Sequence, residues 1–186
     1  DAIGVKNLLK VIQRKADSNT IVIVSAMGKT TNALENIVSA YFSKKNNLDS
    51  GISELYDYHK IILENLFPDK HQIFNEINIL FQRIKFFLEN NKSPNHSFVY
   101  DQVVTYGEII STTIINSFLV HNNIESVWLD ARDCIKTDSN YRGGNIQWAE
   151  TQQNILNKIH KEKINVTQGF IGSDKNNFST SLARAG

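Results

Sequence analysis

The fold class of this chain follows from one short stretch, Thr20-Ile21-Val22-Ile23-Val24. A continuous run of β-branched residues is typical of a strand that is buried on both faces of a parallel sheet. A polar loop, 25–31, follows the run. The next segment, 32–43, predicts a helix, with Asn32 and Glu35 spaced almost as a capping box. A strand, a loop and a helix in that order form half of a βαβ unit.

The same alternation of strands and helices continues along the chain. It predicts an α/β fold, a three-layer αβα sandwich around a mainly parallel sheet that is covered on both faces. The last two strands are separated by a short turn, so we expect them to form a hairpin. The other predicted elements are a first helix through Val5, Leu8, Leu9 and Ile12, a helix at 101–120, a strand at 126–130, a helix at 145–160, and strands at 165–171 and 178–182.

Two long helices interrupt this alternation between residues of about 48 and 90. Apolar residues recur at helical spacing from Ile52 to Leu66, and again from Ile73 to Leu88. The first of these helices should end at Phe67, because the residue before a proline, here Pro68, avoids the helical conformation. We expect the pair to form a helical hairpin inserted into the α/β pattern.

The composition argues against several classes of protein. The 186 residues suffice for one domain, and a net charge of +1 gives no general attraction to nucleic acid or to anionic membranes. The sequence contains no run of 18 or more apolar residues, so a membrane span is not predicted. Cys134 is the only cysteine, so no internal disulfide can form, and the histidines lack metal-ligand spacing. We expect a cytoplasmic protein that binds neither nucleic acid nor a membrane.

Glu108 is the most informative residue, because it lies in an otherwise apolar helix. The apolar residues of this helix occupy more than one of its faces, which predicts that it is largely buried. A buried carboxylate needs a partner. Gly107, directly before it, leaves room for a close approach to the backbone. Two interpretations follow: Glu108 pairs with an internal Arg or Lys, or it belongs to a ligand site.

Three further segments lie where parallel strands meet loops, which is where α/β sheets bind ligands. Residues 25–31 resemble the end of a phosphate-binding P-loop, but that motif would require glycine at Ile23; the alternative is an ordinary turn. Residues 168–173 carry two glycines, which equally fit a twisted strand and a turn. Residues 180–186 place Arg184 among small residues, where it could bind a carboxylate or simply lie at the surface.

Taken together, these segments resemble the aspartate kinases of the amino-acid kinase superfamily. Val24–Asn32 resembles the first substrate loop of that family, and Tyr106–Thr112 resembles its G-E-x-x-S-T helix. Thr167–Ser173 and Ser179–Arg184 resemble its T-Q-G-F-I-G…T-T-T-L-G-R segment. The order and approximate spacing of the motifs agree over essentially the whole chain, including the helical insertion between the first two.

The resemblance implies a binding site and an activity. Its aspartate site would fall on Thr31, Glu108 and Arg184, with Ser25 and Phe170 lining it. Arg184 would bind the α-carboxylate of L-aspartate and Glu108 its α-ammonium group. ATP with Mg²⁺ would phosphorylate the β-carboxylate to give 4-phospho-L-aspartate, the first step of lysine, threonine and methionine biosynthesis. The β-carboxylate is already ionised at neutral pH, with a reference pKa of about 4, so no general base is required. The family also implies a homo-oligomer.

The chain departs from the family pattern in ways that set further expectations. The family's K-F-G-G start has no counterpart after Asp1, and Ala183 and Ala185 stand where glycines flank the family's arginine. We therefore expect residues 1–186 to be the N-terminal, amino-acid-binding part of an aspartokinase catalytic domain, incomplete at both ends and inactive alone. The phosphate-loop lysine and the aspartate after the arginine motif would lie outside the chain, so no catalytic residue is identified within it.

Some assignments stay open at the level of sequence. Asp138, Tyr141 and Arg142 lie in a polar loop that borders the expected site, without an assigned role. Alternative functions are a glutamate or acetylglutamate kinase, an amino-acid-binding module without catalysis, and a helical interaction domain built on residues 48–90.

Overall fold

The structure is a computed structural model that describes residues 1–44 and 48–182. Within those ranges the predicted helices and strands occur in the predicted order, apart from a divided helix described below and a short helix at Ala131–Cys134 that was not predicted. The helices are α1 (Ala2–Lys15), α2 (Thr30–Phe42), α3 (Leu48–Leu66), α4 (Ile73–Asn90), α5 (His96–Val104), α6 (Tyr106–His121), α7 (Ala131–Cys134) and α8 (Trp148–Lys158). The strands are β1 (Ile21–Val24), β2 (Ser126–Leu129), β3 (Ile164–Gln168), β4 (Ile171–Ser173) and β5 (Ser179–Ser181).

The sheet topology confirms the predicted α/β class with a parallel sheet. β3 lies between β1 and β2 and runs parallel to both. Val24 is opposite Gln168, and Leu129 is opposite Thr167, so all three strands end at the same edge. The predicted hairpin is also present, since β4 and β5 pair in antiparallel fashion. The loops that follow the three strands therefore meet at one edge of the sheet.

Helix α6 contacts all three parallel strands and α1 to α5 pack around it or its neighbours, which places the core on one side of the sheet. The core includes fully buried side chains from several of these helices: Leu34, Leu63, Ile73, Ile77, Ile84, Ile110, Ile114 and Leu119. The predicted helical hairpin is confirmed, because α3 and α4 are long, adjacent in sequence and in contact.

The expectation that β1 is buried on both faces is wrong. Val22 and Val24 pack against the core, whereas Ile21 and Ile23 are 46% and 67% exposed. A β-branched run has the same appearance in a strand covered on one face as in one covered on both. Successive side chains of a strand point to opposite faces, and the core that includes α6 covers the face of Val22 and Val24, so the face of Ile21 and Ile23 is the one left open among the described residues.

The predicted start of the second helix is also wrong. Helix α2 begins at Thr30, two residues before Asn32, and its N-cap residue Lys29 makes no side-chain capping bond. The near-capping box of Asn32 and Glu35 is therefore absent, and Glu35 instead accepts a hydrogen bond from the Tyr100 hydroxyl. The Glu35 carboxylate, which the local pattern predicted to cap the helix, instead makes a tertiary contact.

The predicted single helix at 101–120 is two helices that meet at Thr105. The Thr105 hydroxyl donates to the Asp101 carbonyl at 2.7 Å, a bond of the kind that bends helices. Two other predicted spans are shorter in the structure. The strand expected to run through Ile171 ends at Gln168 and resumes as β4, and the helix expected from Asn145 begins at Trp148.

One stretch, His96–His121, is long and apolar enough to cross a membrane by length and composition alone, with a mean hydropathy of 1.4. It comprises α5 and α6, and 67% of the apolar window is buried inside the protein. The buried core helix of a folded domain passes the same test, so this is weak evidence for a membrane span. The expected absence of membrane binding stays a prediction.

Candidate functional site

A cavity of about 760 Å³ opens at the edge where β1 and β3 end. Four of the five predicted site residues line it, namely Ser25, Thr31, Glu108 and Phe170. The fifth, Arg184, lies outside the described residues. The other lining residues are Glu35, Tyr100, Asp101, Val104, Thr105, Arg142, Ile171, Ser181 and Leu182.

Gly107 lets helix α6 approach the loop that follows β1. A Cβ atom at this position would lie 3.0 Å from the Cβ of Ala26, which confirms the predicted close approach to the backbone. One helical turn further on, the Ser111 hydroxyl donates to the Ser25 carbonyl at 2.8 Å. Ser25 and Glu108 are thereby held on the same side of the cavity.

Thr112 ties the same helix to the other strands. Its hydroxyl donates to the Glu108 carbonyl at 2.9 Å and accepts from the Gln168 amide at 2.6 Å and from the Trp128 indole at 2.9 Å. The amide oxygen of the same Gln168 side chain accepts from the Ala131 backbone N–H at 2.7 Å. The strand ends therefore have fixed positions relative to the helix that carries Glu108.

The Glu108 carboxylate is partly buried and makes no ion pair with any described residue. Burial raises its pKa, and backbone N–H groups, including that of Ala26, oppose the rise only in part. Within the described part of the chain, the interpretation of Glu108 as one half of an internal ion pair is therefore wrong. A partly desolvated carboxylate that faces a cavity is suited to bind a cationic group.

Phe170 lies between β3 and β4 in a left-handed conformation, with φ of +66° and an exposed fraction of 46%. Such a φ is uncommon for a non-glycine residue and marks a functional or strained position. Its carbonyl accepts from the Leu182 N–H at 3.0 Å, which fixes the hairpin against it. The sequence gives no signal for this conformation, since the glycines around it suggested only a twisted strand.

Asp101 also lines the cavity, although no motif in the sequence indicated it. It is fully buried, and it accepts hydrogen bonds from the Ser181 hydroxyl at 2.6 Å, the Ser181 N–H at 3.0 Å and the Arg142 N–H at 2.8 Å. Burial raises its pKa, and these hydrogen bonds counteract the rise. Asp101 joins helix α5, strand β5 and the loop before α8, which form one wall of the cavity.

The same wall carries Tyr100 and Arg142. The Arg142 guanidinium lies 4.2 Å from the centre of the Tyr100 ring, and the Tyr100 hydroxyl donates to Glu35. Burial and the Glu35 carboxylate raise the pKa of Tyr100 to about 12, so the phenol stays neutral. Of the three loop residues left unassigned, only Arg142 lines the cavity. The Asp138 carboxylate accepts from Asn145, and the Tyr141 hydroxyl donates to Asp174.

The charges around the cavity limit what it can bind. Among the described lining residues, three carry carboxylates, Glu35, Asp101 and Glu108, and only Arg142 is cationic. An ammonium group suits this surface, whereas a triphosphate does not. No group of three or more His, Cys, Asp or Glu side chains in the described ranges is arranged to hold a metal ion.

Comparison with known proteins gives a family and a fold. The sequence model of a family described as "Amino acid kinase family" matches residues 1–185. A bifunctional aspartokinase/homoserine dehydrogenase 2 of Arabidopsis thaliana is 23% identical over 98% of this chain and 21% of its own length. The lysine-sensitive aspartokinase 3 of Escherichia coli is 25% identical over 92% of this chain and 38% of its own length.

Solved structures show the same fold. The E. coli aspartokinase III in complex with aspartate and ADP superposes with a TM-score of 0.81 at 24% identity, covering 100% of this chain and 41% of that one. The Clostridium acetobutylicum aspartate kinase superposes with a TM-score of 0.77 at 21% identity, covering 99% of this chain and 39% of that one. The chain thus spans between about a fifth and two fifths of the length of these relatives.

Proposed function

The chain belongs to the amino acid kinase family, and we propose that it forms the amino-acid-binding part of an aspartate kinase. The observation that carries the proposal is the carboxylate of Glu108, which has no ion-pair partner among the described residues and lines one cavity together with Ser25, Thr31 and Phe170. A protein related at low identity, E. coli aspartokinase III, has been solved with aspartate and ADP, which supports aspartate as the ligand.

The proposed ligand matches the chemistry of the lining residues. The α-ammonium group of L-aspartate would pair with Glu108, and neutralisation would return the energy that its partial burial costs. Ser25 and Thr31 supply hydroxyls at the end of β1 and the start of α2. Arg184 would bind the α-carboxylate, as its place in the motif implies. Losing either partner of such a charge pair should cost about 2–5 kcal/mol of affinity.

The proposed reaction is phosphorylation of the β-carboxylate, with ATP supplying the phosphoryl group when it is bound. The described lining residues do not fit the triphosphate, because three of them, Glu35, Asp101 and Glu108, carry carboxylates. We therefore place ATP and Mg²⁺ beyond this cavity and assign them to none of its residues. The described residues contribute by binding and orienting the amino acid. Its β-carboxylate is already ionised at neutral pH, so no general base is needed.

The wider biological assignments belong to the same proposal. They are a role in lysine, threonine and methionine biosynthesis, a homo-oligomeric assembly and a cytoplasmic location. They rest on the resemblance to aspartate kinases, and the first of them would follow directly if 4-phospho-L-aspartate were the product.

The proposal is tested by binding and by product trapping, on the protein at its full natural length. Calorimetry with L-aspartate, L-glutamate and N-acetyl-L-glutamate would identify the amino acid. Hydroxylamine would trap an acyl phosphate formed with ATP and Mg²⁺ as a hydroxamate. The variant Glu108→Gln removes the charge and keeps the shape. Glu150→Gln, at an exposed residue of α8, is the matched control.

We expect binding of L-aspartate, an ATP-dependent hydroxamate, and a rise in the aspartate KM of about thirtyfold or more in Glu108→Gln with little change in the ATP KM. Tighter binding of L-glutamate or N-acetyl-L-glutamate would identify a different amino-acid kinase. Binding of aspartate without any hydroxamate would identify a module that binds but does not catalyse. Equal changes in both KM values would contradict the role assigned to Glu108.

A further inference from the structure

Arg142 combines three properties that no structural role explains together. It lines the cavity that contains Glu108, it is the cationic residue among the described lining residues, and its backbone is left-handed, with φ of +65°. Six non-glycine residues in the described ranges have a positive φ, and only Arg142 and Phe170 of these line the cavity. A strained conformation at a cavity wall is a reason to look for a ligand contact.

The backbone of Arg142 has a structural task that its side chain does not share. Its N–H donates to the buried Asp101 carboxylate at 2.8 Å, in the same cluster that holds Ser181. Any residue other than proline could make that bond, and glycine would make it without strain at this φ. The presence of arginine therefore has to be explained by its guanidinium group.

The guanidinium of Arg142 has a defined position, but no described residue uses its hydrogen-bond donors. It lies 4.2 Å from the centre of the Tyr100 ring, and the Tyr100 hydroxyl is in turn fixed by Glu35. Within residues 1–44 and 48–182 the guanidinium makes no hydrogen bond and no ion pair, and Arg142 as a whole is exposed. A guanidinium held on an aromatic face keeps its planar set of donors available for a carboxylate.

The charge balance of the proposed ligand indicates which group Arg142 binds. L-Aspartate carries one ammonium group and two carboxylates. Glu108 accounts for the ammonium group, and Arg184 is expected to account for the α-carboxylate. The side-chain carboxylate then remains, in a cavity whose other described charged residues, Glu35 and Asp101, are acidic. Without a cation of its own, this carboxylate would be repelled.

We propose that Arg142 binds the side-chain carboxylate of the amino acid and makes the site selective for an acidic amino acid over its amide. This inference rests on the proposed function, since it names a second contact in the same site. It assigns Arg142 a role in specificity and no chemical step. The distinguishing readout is thus the ratio of the asparagine Kd to the aspartate Kd.

The test compares the full-length protein with three variants by calorimetry, using L-aspartate and L-asparagine. Arg142→Gly keeps the N–H that Asp101 accepts and relaxes the left-handed backbone, so it should fold with a Tm at or above that of the wild type. Arg142→Lys keeps the charge but not the planar fork. Lys70→Gly removes a positive charge and relaxes a left-handed backbone, with φ of +68°, at an exposed turn outside the cavity, and is the matched control.

We expect the wild type to prefer aspartate, and Arg142→Gly to weaken aspartate binding about tenfold to hundredfold while changing asparagine binding less than threefold. Arg142→Lys should recover part of the preference, and Lys70→Gly should keep the wild-type preference. An unchanged ratio in Arg142→Gly, whether both affinities fall or neither does, would overturn the inference and leave the proposed function intact. A wild type that binds no aspartate would instead overturn the proposed function and this inference with it.

Discussion

At the scale of single residues, the site is built on a conflict between stability and binding. Glu108 is partly desolvated and has no described cation beside it, so its ionised form is less stable in the folded chain than in water. Functional sites commonly carry such costs, which disappear when the ligand arrives. The same carboxylate that is suited to an ammonium group therefore destabilises the empty protein.

The variant Glu108→Gln should be more stable than the wild type at pH 7. The raised pKa of Glu108 means that the folded state binds its proton more tightly than the unfolded state does, so stability is lost as pH rises through the folded pKa. Removing the charge should recover about 0.5–2 kcal/mol at pH 7. Urea unfolding at pH 7 and at pH 4 measures this difference, which should shrink at pH 4, because the folded state and more than half of the unfolded chains then carry the proton. A loss of stability at pH 7 would contradict this account.

His59 should make the protein less stable in mild acid. Burial is the main cause of its lowered pKa: the ring is fully buried, and its Nδ1 contacts the Leu55 carbonyl at 2.8 Å. Because the folded pKa is lowered, the unfolded chain takes up this proton first. Stability therefore falls as pH drops below about 6.5, by at most about 1.4 kcal/mol per pH unit for this group.

Unfolding of His59→Gln between pH 5 and pH 8 tests that origin. This variant should have a flatter pH dependence than the wild type. His160→Gln, at an exposed position, should keep the wild-type slope. His71 also has a pKa lowered mainly by burial, so some dependence should remain in His59→Gln. Identical slopes in all three proteins would show that burial of His59 has no part in the effect.

At the scale of elements, helix α6 sets the geometry of the site through its contact with the loop after β1. A side chain at position 107 would meet three neighbours at once, with Ala26 at 3.0 Å, Leu34 at 3.4 Å and Thr30 at 3.5 Å. Gly107→Ala should therefore cost about 1–3 kcal/mol despite its better helix propensity. In the proposed site it should also weaken aspartate binding, because Glu108 follows directly.

Gly51→Ala in α3 is the matched control for that substitution. Its added Cβ would meet a single side-chain atom, the Cγ1 of Ile37, at 3.3 Å, and a side chain can shift where the packed Ala26 loop cannot. We expect Gly51→Ala to be neutral or to gain up to about 1 kcal/mol from helix propensity. Denaturant unfolding compares the two variants, and a larger loss in Gly51→Ala than in Gly107→Ala would refute the close-approach explanation.

Elements were predictable from the sequence where their signal is local. The order of helices and strands, the helical hairpin and the final β-hairpin all follow from periodicity and turn residues. The break at Thr105 did not follow, because it depends on a hydroxyl that bonds the Asp101 carbonyl inside an unbroken apolar pattern. The exposed face of β1 did not follow either, since the elements that cover a face of a strand are distant from it in sequence.

The residues of the candidate site also differ in whether the sequence could predict them. Glu108 and Ser25 were predictable because they lie in short motifs. Asp101 and Tyr100 had no such signal, and Arg142 was predicted only to lie in a loop near the site, because their contacts join residues far apart in sequence. Tyr100 bonds Glu35, 65 positions away, and Arg142 and Asp101 are 41 positions apart. A pattern read along the chain cannot indicate which distant loop will form the opposite wall.

At the scale of the whole molecule, the exposed side of β1 is the least covered part of the sheet. Ile23 is 67% exposed although it lies in a strand, while its neighbour Val22 packs against the core. For the 186-residue chain, Ile23→Lys should change the free energy of unfolding by no more than about 0.5 kcal/mol. Val22→Lys should cost several times more, because it would place a charge against the core.

Urea unfolding of the two variants checks this contrast, and sedimentation at increasing concentration provides a second measurement. An exposed apolar edge strand promotes association, so Ile23→Lys should also lower any self-association of the chain. A large loss of stability in Ile23→Lys would contradict the exposed placement of this face.

The cavity joins parts of the chain that are almost as far apart as its described length permits, from Ser25 to Leu182. Contacts between such distant positions form slowly, because a long loop must close before they contribute any energy. If these contacts are not yet formed in the transition state for folding, a ligand bound in the cavity cannot accelerate refolding. A bound ligand would then act only on the unfolding rate. It would lengthen the lifetime of the native state and delay irreversible inactivation on heating.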